Sequence, residues 1–252
     1  MYNNLSIGAV IPACNEEANI TPVVAALLAL RTDAGHCVID DVVVCDNGST
    51  DATAARARAA GARVVVEETP GYGRACLTAI AALHPVDVVL FVDGDQSFEV
   101  RQALDLLAVI ADGADLAIGS RALGRREPGA LSMPQIVGNR VAGLLIRLLW
   151  GRVVTDLGPF RAIRADALRR LDMRDPAYGW TVEMQVKAIQ LNMRIIETPV
   201  NTLRRRFGIS KVGGTLKGVI GASIGILGMI ARLRCRRADS GTTCYNKEEE
   251  RP

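Results

Sequence analysis

Residues 89–97 read V-L-F-V-D-G-D-Q-S, an apolar run that ends at two aspartates, Asp93 and Asp95, with Gly94 between them. Two carboxylates this close do not both ionise cheaply unless a cation offsets their repulsion. Oxygen-only sites with few protein ligands suit Mg2+ or Mn2+, which commonly complete their coordination with substrate phosphates. The chemistry suggested is Lewis-acid neutralisation of a departing diphosphate. A strand that simply leaves a sheet into a polar loop explains the same residues without any chemistry, so other parts of the chain must discriminate.

Two further polar groups follow apolar runs. Asn15 and Glu16 come after IGAVIPA, and Asp46 with Asn47, Gly48 and Ser49 comes after DDVVVCD. Asn, Asp and Ser at such places also cap helices, so each group alone has a structural explanation. Gly71 and Gly73 invite a dinucleotide fingerprint, but the third glycine position is Cys76 and the segment follows the third strand rather than the first. A loop that approaches a phosphate closely, or a plain turn, remains.

The elements that must position these residues alternate along the first half of the chain. IGAVIPA, DDVVVCD, ARVVVEE and VDVVLFVD read as strands, separated by helices up to about Leu30, over GSTDATAARARAAGA, and over residues 73–83. Continuous β-branched runs are those of parallel strands covered on both faces. The alternation predicts an α/β fold with a doubly wound, mostly parallel sheet and helices on both faces. In such sheets ligands bind at the carboxyl ends of the strands, where all three polar groups fall. In the second half, ADLAIGSR is a further strand, residues 135–150 an apolar helix, and GPFRAIR an edge strand. TVEMQVKAIQLN is an amphipathic helix, MRIIETPV a strand, and residues 213–237 helical, with residues 239–252 a polar disordered tail after a single domain, 1–238.

Composition narrows the class. Of 252 residues, 49% are hydrophobic and 23% charged, enough for a full core. A net charge of +3 does not suggest nucleic acid, although Arg125 with Arg126, residues 204–206 and residues 232–237 are local basic clusters. Six cysteines without a CxxC pair, and an N-terminus without a secretory pattern, point to free thiols in a reducing cytoplasm. With His36 and His84 alone and no HExxH, a zinc site is not expected. No uninterrupted apolar run reaches the roughly 18–20 residues that span a bilayer. Residues 218–231, flanked by Lys217 and Arg232, come nearest and read as a core helix, an interfacial helix or a subunit contact.

Taken in order and spacing, VIPACNEEANI, VCDNGSTDAT, GYGRA and FVDGDQS resemble the nucleotide-sugar half of family 2 glycosyltransferases of the GT-A fold. Downstream, AIGSR, DLGPFRAIR, GWTVEMQVKA and RRFGISK are similar to the branch of polyprenyl-phosphate (dolichol-phosphate) mannose and glucose synthases. The resemblance spans about residues 5–235 and implies a Rossmann-like GT-A sheet. It places Pro12, Asn15, Glu16 and Asp46 at the base and ribose, with Gly73, Arg74, Asp93 and Gly94 also at the nucleotide. Asp93 and Asp95 match the metal-binding pair for Mg2+ or Mn2+, and Gln96 departs from the commoner DADLQ and DADG forms. Arg121 and Asp156 fall beside the transferred sugar or acceptor phosphate, with Arg161 nearby. Glu183 is the implied general base, although a helix-surface glutamate facing Lys187 at i+4 explains it equally. The resemblance also implies that Arg206, Ser210 and Lys211 belong to a loop that closes on the diphosphate.

The expected activity is therefore metal-dependent transfer from a GDP- or UDP-sugar to a phosphate- or hydroxyl-bearing acceptor, lipid or small molecule. Rearrangement of the donor itself, as by a GDP-fucose pyranose/furanose mutase, uses the same site and is the alternative. Two apolar helices suggest either contact with a membrane surface or a homodimer.

Overall fold

The computed structural model describes residues 2–208, 210, 213 and 216–241. Its centre is a seven-stranded sheet in the order β3-β2-β1-β4-β6-β5-β7. The strands are β1 (Ile7–Ala13), β2 (Asp41–Asp46), β3 (Arg63–Val66), β4 (Val88–Phe91), β5 (Leu116–Ser120), β6 (Arg161–Arg164) and β7 (Ile195–Pro199). β3, β2, β1 and β4 pair in parallel, β5 pairs in parallel with β7, and β6 runs antiparallel to both its neighbours.

The pleat of β1 explains the layering. Ile7, Ala9 and Ile11 face a cluster that holds Ile20, Val23 and Leu27 of α1 (Ile20–Leu28) and Leu106 and Ile110 of α4 (Ala103–Ala111). Val10 faces the other way, against Ala75, Cys76 and Ala79 of α3 (Tyr72–Ala82). Successive side chains on a strand point to opposite faces, so a strand buried on both sides must be apolar throughout. The short α2 (Thr53–Ala59) follows β2 and precedes β3, and α6 (Ala165–Leu171) follows β6.

β6 departs from the sequence expectation. GPFRAIR, short and bracketed by arginines, reads as an edge strand, yet it lies inside the sheet between β4 and β5. The arginines are compatible with that place because their donors meet carbonyls. Arg161 donates from Nε to Gly158 O at 2.6 Å and from Nη1 to Thr181 O at 2.7 Å, and Arg164 donates from Nη2 to Ile110 O at 2.9 Å. The edges are β3 and β7 instead.

Helix α7 (Trp180–Gln190) also differs: it is buried nearly all round rather than amphipathic. Trp180, Met184 and Ala188 enter the core under the sheet, while Val182, Val186 and Ile189 form a third cluster with α5 (Met133–Trp150) and α8 (Leu216–Gly241). Glu183 and Gln185, polar positions in the sequence pattern, are buried as well, Glu183 against the backbone of Arg174 and Asp175 and Gln185 beside Arg161 and Asp156. α5 begins two residues before its expected start because Ser132 and Gln135 form a capping box and Pro134 sits in the first turn; Gly151, at φ 69°, ends it in the left-handed conformation. α8 reaches three residues into the segment expected to be a disordered tail; residues 242–252 lie outside the described residues. Within α8, Gly218–Cys235 is long and apolar enough to cross a membrane, with a mean hydropathy of 1.5. The continuous apolar run is shorter than that window because Arg232 and Arg234 fall inside it. One face of the helix is covered by α5 and α7 through Met229, Ile230 and Leu233.

Candidate active site

Strands that run in one direction end on one rim. The ends of β1, β2, β4, β5 and β7 therefore gather there, and the reversed β6 begins there. Asn15, Glu16, Asp46, Asp93, Asp95, Arg121, Asp156 and the chain after β7 all meet on that rim.

On the β1–β2 side the polar residues knit two loops together. Asn15, at φ 51°, donates from its backbone N–H to Ser49 Oγ at 2.9 Å and accepts the Thr50 N–H on Oδ1 at 2.7 Å. Asp46, 8% exposed, accepts the Ser49 N–H at 3.2 Å, and Pro12, paired across the sheet with Cys45, is half-buried. Asn47 donates to Glu67 O and Thr69 O, each at 2.8 Å, and accepts the Gly71 N–H at 2.7 Å. These side chain to backbone bonds fix the loops after β1, β2 and β3 against one another.

Asp93 and Asp95 follow β4. Tyr72 donates its hydroxyl to Asp93 Oδ1 at 3.1 Å. Burial and the neighbouring Asp95 charge push the Asp93 carboxyl up to about 7. Asp95 accepts the Ser97 N–H at 3.0 Å and the Nη1 of Arg205 at 3.0 Å, and Arg205 Nη2 grips Glu16. Gly94 is buried, and a Cβ there would meet Ile20 Cδ1 at 3.3 Å and Ile11 Cγ2 at 3.4 Å, so its size fixes the turn between the two aspartates. Gln96, at φ 60°, donates to Asn19 Oδ1 at 3.1 Å, and Asn19 donates to Glu16 at 2.9 Å. Among the described residues no three or more His, Cys, Asp or Glu side chains gather as metal ligands. A pair of carboxylates that already attracts one cation, Arg205, fits a divalent ion that takes its remaining ligands from substrate oxygens.

On the β5–β6 side, Arg121 and Asp156 form a fork. Arg121 donates its backbone N–H and Nε to Asp156 Oδ2 and its Nη2 to Oδ1, each at 2.7 Å. Burial works against the Arg121 charge, but the bonds and charge of Asp156 outweigh it and hold the guanidinium pKa above its ordinary value. Two neighbours fix the Asp156 loop. Glu197 of β7 accepts the N–H groups of Thr155 and Asp156, and Asn139 of α5 donates to Thr155 O at 3.0 Å and accepts the Leu157 N–H at 2.8 Å. Arg161, 1% exposed, lies below, and burial lowers its pKa to about 10.

The remaining expected residues take other places. Glu183, 3% exposed, accepts the N–H groups of Arg174 and Asp175, the latter at 2.7 Å, and pairs with Lys187 at 2.7 Å. A Cβ on Gly73 would meet Asp175 O at 1.9 Å and one on Gly71 would meet Pro176 O at 2.2 Å, so both glycines admit the very loop that Glu183 holds. Arg74 is exposed and donates its backbone N–H to Pro176 O at 3.1 Å. Arg206 is exposed, Ser210 accepts the Gly213 N–H at 3.1 Å, and Lys211 lies outside the described residues. Arg205, next to the expected Arg206, is the arginine that reaches the carboxylates. Three arginines in a row gave no signal to separate them; Tyr72 and Asn139 were missed because a lone phenol or amide in an apolar helix pattern reads as packing.

The glycosyl transferase family 2 model matches residues 9–172. An uncharacterized glycosyltransferase of Mycobacterium tuberculosis is 35% identical over 218 residues, 85% of this chain and 93% of that protein. An undecaprenyl-phosphate mannosyltransferase of Micrococcus luteus is 32% identical over 217 residues, 80% of this chain and 87% of its own. Among solved structures, glucosyl-3-phosphoglycerate synthase from Mycobacterium tuberculosis, crystallised with Mn2+, uridine diphosphate and phosphoglyceric acid, superposes with a TM-score of 0.73 over 92% of this chain and 79% of that one, at 24% identity. That likeness establishes the GT-A fold. With the family model and the relatives in agreement, the chain belongs to glycosyl transferase family 2 and is a glycosyltransferase.

Proposed function

We propose that the enzyme transfers a hexosyl group from a GDP- or UDP-sugar to the phosphate of a lipid carrier at a membrane surface. The observation that carries this reading is the junction of α5 with the acceptor side of the rim. Asn139 bonds the chain on both sides of Asp156. On the same helix, Val137, Val141, Leu144 and Leu148 form an exposed apolar stripe, flanked by the exposed Arg140 and Arg147. Apolar surface beside arginines suits an anionic bilayer interface.

The site chemistry agrees with a phosphate acceptor. Glu183, the base the resemblance implied, has its carboxylate buried and bonded. A phosphate is already ionised and needs no base to attack the anomeric carbon. Its oxygen forms the new C–O bond while the bond to the nucleoside diphosphate breaks and the diphosphate leaves with the electron pair. Of the five N–H donors of a guanidinium, Arg121 uses two on Asp156, and its side chain is 16% exposed, so donors remain for an anionic oxygen. Asn15, Asp46 and Pro12, at the ends of β1 and β2, would hold the nucleoside, as the resemblance implies. Mg2+ or Mn2+ bound at Asp93 and Asp95 would neutralise charge on the departing diphosphate. The relatives named above are transferases, which supports transfer over rearrangement of the donor.

The test is incubation of the purified protein and Mn2+ or Mg2+ with GDP-, UDP- and dTDP-sugars, with and without polyprenyl phosphate in anionic vesicles. The expected result is a sugar-phosphate lipid and stoichiometric nucleoside diphosphate. An isomeric nucleotide sugar formed without acceptor would sink the reading, as would transfer confined to water-soluble acceptors.

A further inference from the structure

Arg205 is bonded to Asp95, one of the two carboxylates to which the chemistry above assigns a metal. Its Nη1 lies 3.0 Å from Asp95 Oδ2, and its Nη2 contacts both oxygens of Glu16. The three side chains are 14%, 19% and 8% exposed, so the bridge is shielded from water. A shielded guanidinium fork between two carboxylates is a stronger contact than a surface ion pair. Arg205 Nε also donates to Phe207 O at 2.7 Å, and Asn19 Nδ2 reaches the same carbonyl at 3.2 Å, which folds the following residues back over Glu16.

The chain before Arg205 is fixed. Leu203 donates its N–H to Ser97 O at 2.9 Å, Thr202 to Arg125 O at 2.8 Å, and Arg204 to Glu127 Oε2 at 2.7 Å. After it, Gly208 turns the chain at φ 73° and residues 206–208 are exposed. An anchored start and an exposed glycine turn leave the Arg205 side chain free to leave the carboxylates without disturbing the sheet.

We propose that Arg205 stands in for the divalent cation in the nucleotide-free enzyme, bridging Glu16 and Asp95, and that the cation arriving with the nucleotide displaces it onto the diphosphate. The proposal rests on the reading of Asp93 and Asp95 as the metal-binding pair. The acidic rim thus stays compensated in both states. Metal and Arg205 compete for Asp95, so the apparent metal affinity without nucleotide is the intrinsic affinity reduced by the fraction of molecules in which Arg205 has left. Once a nucleotide is bound, the released guanidinium becomes a phosphate ligand. Removing Arg205 should therefore act with opposite sign in the two states, which a purely structural role would not do.

The experiment is titration of Mn2+ alone, by calorimetry or Mn2+ electron paramagnetic resonance, into wild type, Arg205→Ala and Arg205→Lys, repeated with saturating UDP and GDP. Arg205→Ala is expected to bind Mn2+ about tenfold tighter than wild type without nucleotide, as for an open fraction near one tenth. With Mn2+ present, it is expected to bind the nucleoside diphosphate more weakly than wild type. Arg205→Lys, a point charge that cannot bridge two carboxylates, should fall between, and supplies the comparison if the alanine variant does not fold. Unchanged or weaker Mn2+ binding by the variants without nucleotide, with normal binding by wild type in its presence, overturns the proposal and leaves the metal site standing. Failure of wild type to bind Mn2+ even with nucleotide overturns both.

Discussion

At the scale of single residues, the decisive question is which polar side chains are open and which are already occupied. Glu183 is the clearest occupied one. Its carboxylate joins α7 to the backbone of Arg174 and Asp175, and Asp175 with the following Pro176 lies close against Gly73 and Gly71, between which Tyr72 extends toward Asp93. Glu183→Gln should therefore remove the charge that Lys187 and the two N–H groups compensate, costing about 1–3 kcal/mol of stability. The donor KM should rise while the pH profile of kcat keeps its shape, and Glu183→Gln combined with Lys187→Met should recover part of the stability. A fall in kcat with unchanged melting temperature and donor KM would restore Glu183 as the base. The position of Asp93 and Asp95 at the end of β4 was legible in the sequence because the apolar run stops at them. The partners of that pair were not, since Tyr72 and Arg205 come from segments 21 and 110 residues away.

At the scale of elements, what sequence patterns report is a balance between apolar and polar faces, and they cannot say how many layers will cover an element. β1, β2 and β4 were legible because a strand buried on both faces leaves little polar sequence, and β3, an edge strand with Val66 exposed, was legible from its run of valines alone. β6 was legible as a strand but not as an internal one, because its arginines satisfy themselves on carbonyls outside the sheet, and α7 was legible as a helix but not as a buried one, because Glu183 and Gln185 find partners in the Arg174–Asp175 loop and at Arg161 and Asp156. α5 shows the converse, an apolar face left exposed. Met133, Val137, Val141, Leu144 and Leu148 recur at steps of three and four residues, one face of a helix. The opposite face, with Ala142 and Ile146, is buried. Replacing both Leu144 and Leu148 with Asp should abolish sedimentation with anionic vesicles and cut transfer to a vesicle-borne acceptor by about tenfold or more, as expected when charge replaces buried apolar area at an interface. Nucleotide binding and melting temperature should not change. Loss of a dimer in analytical ultracentrifugation, with vesicle binding intact, would assign the stripe to a second copy of the chain instead.

At the scale of the whole molecule, strand ends and starts from both halves of the chain converge on one rim, and the charges they bring are coupled. The order of strands was not legible, because local patterns hold no record of which strands pair, and the insertion of a reversed β6 between β4 and β5 is what sets Arg121 and Asp156 beside the Asp93 pair. The coupling has a thermodynamic consequence. The Asp93 carboxyl ionises at about 7 in the fold, against an ordinary 3.8, through burial and then the charge of Asp95. Between those values the folded protein keeps a proton that the unfolded chain has lost, so this group's contribution to stability falls as pH rises from about 4 to about 7 and is level above that. A cation at the pair needs the ionised form, so its binding below about pH 7 releases a proton and weakens by up to about tenfold per pH unit. Mn2+ with a nucleoside diphosphate should therefore raise the melting temperature more at about pH 8 than at about pH 5.5, and Asp93→Asn should remove both the Mn2+ increment and this pH dependence. Equal increments at the two pH values would mean that the cation binds without displacing a proton, and that Asp93 is not its ligand.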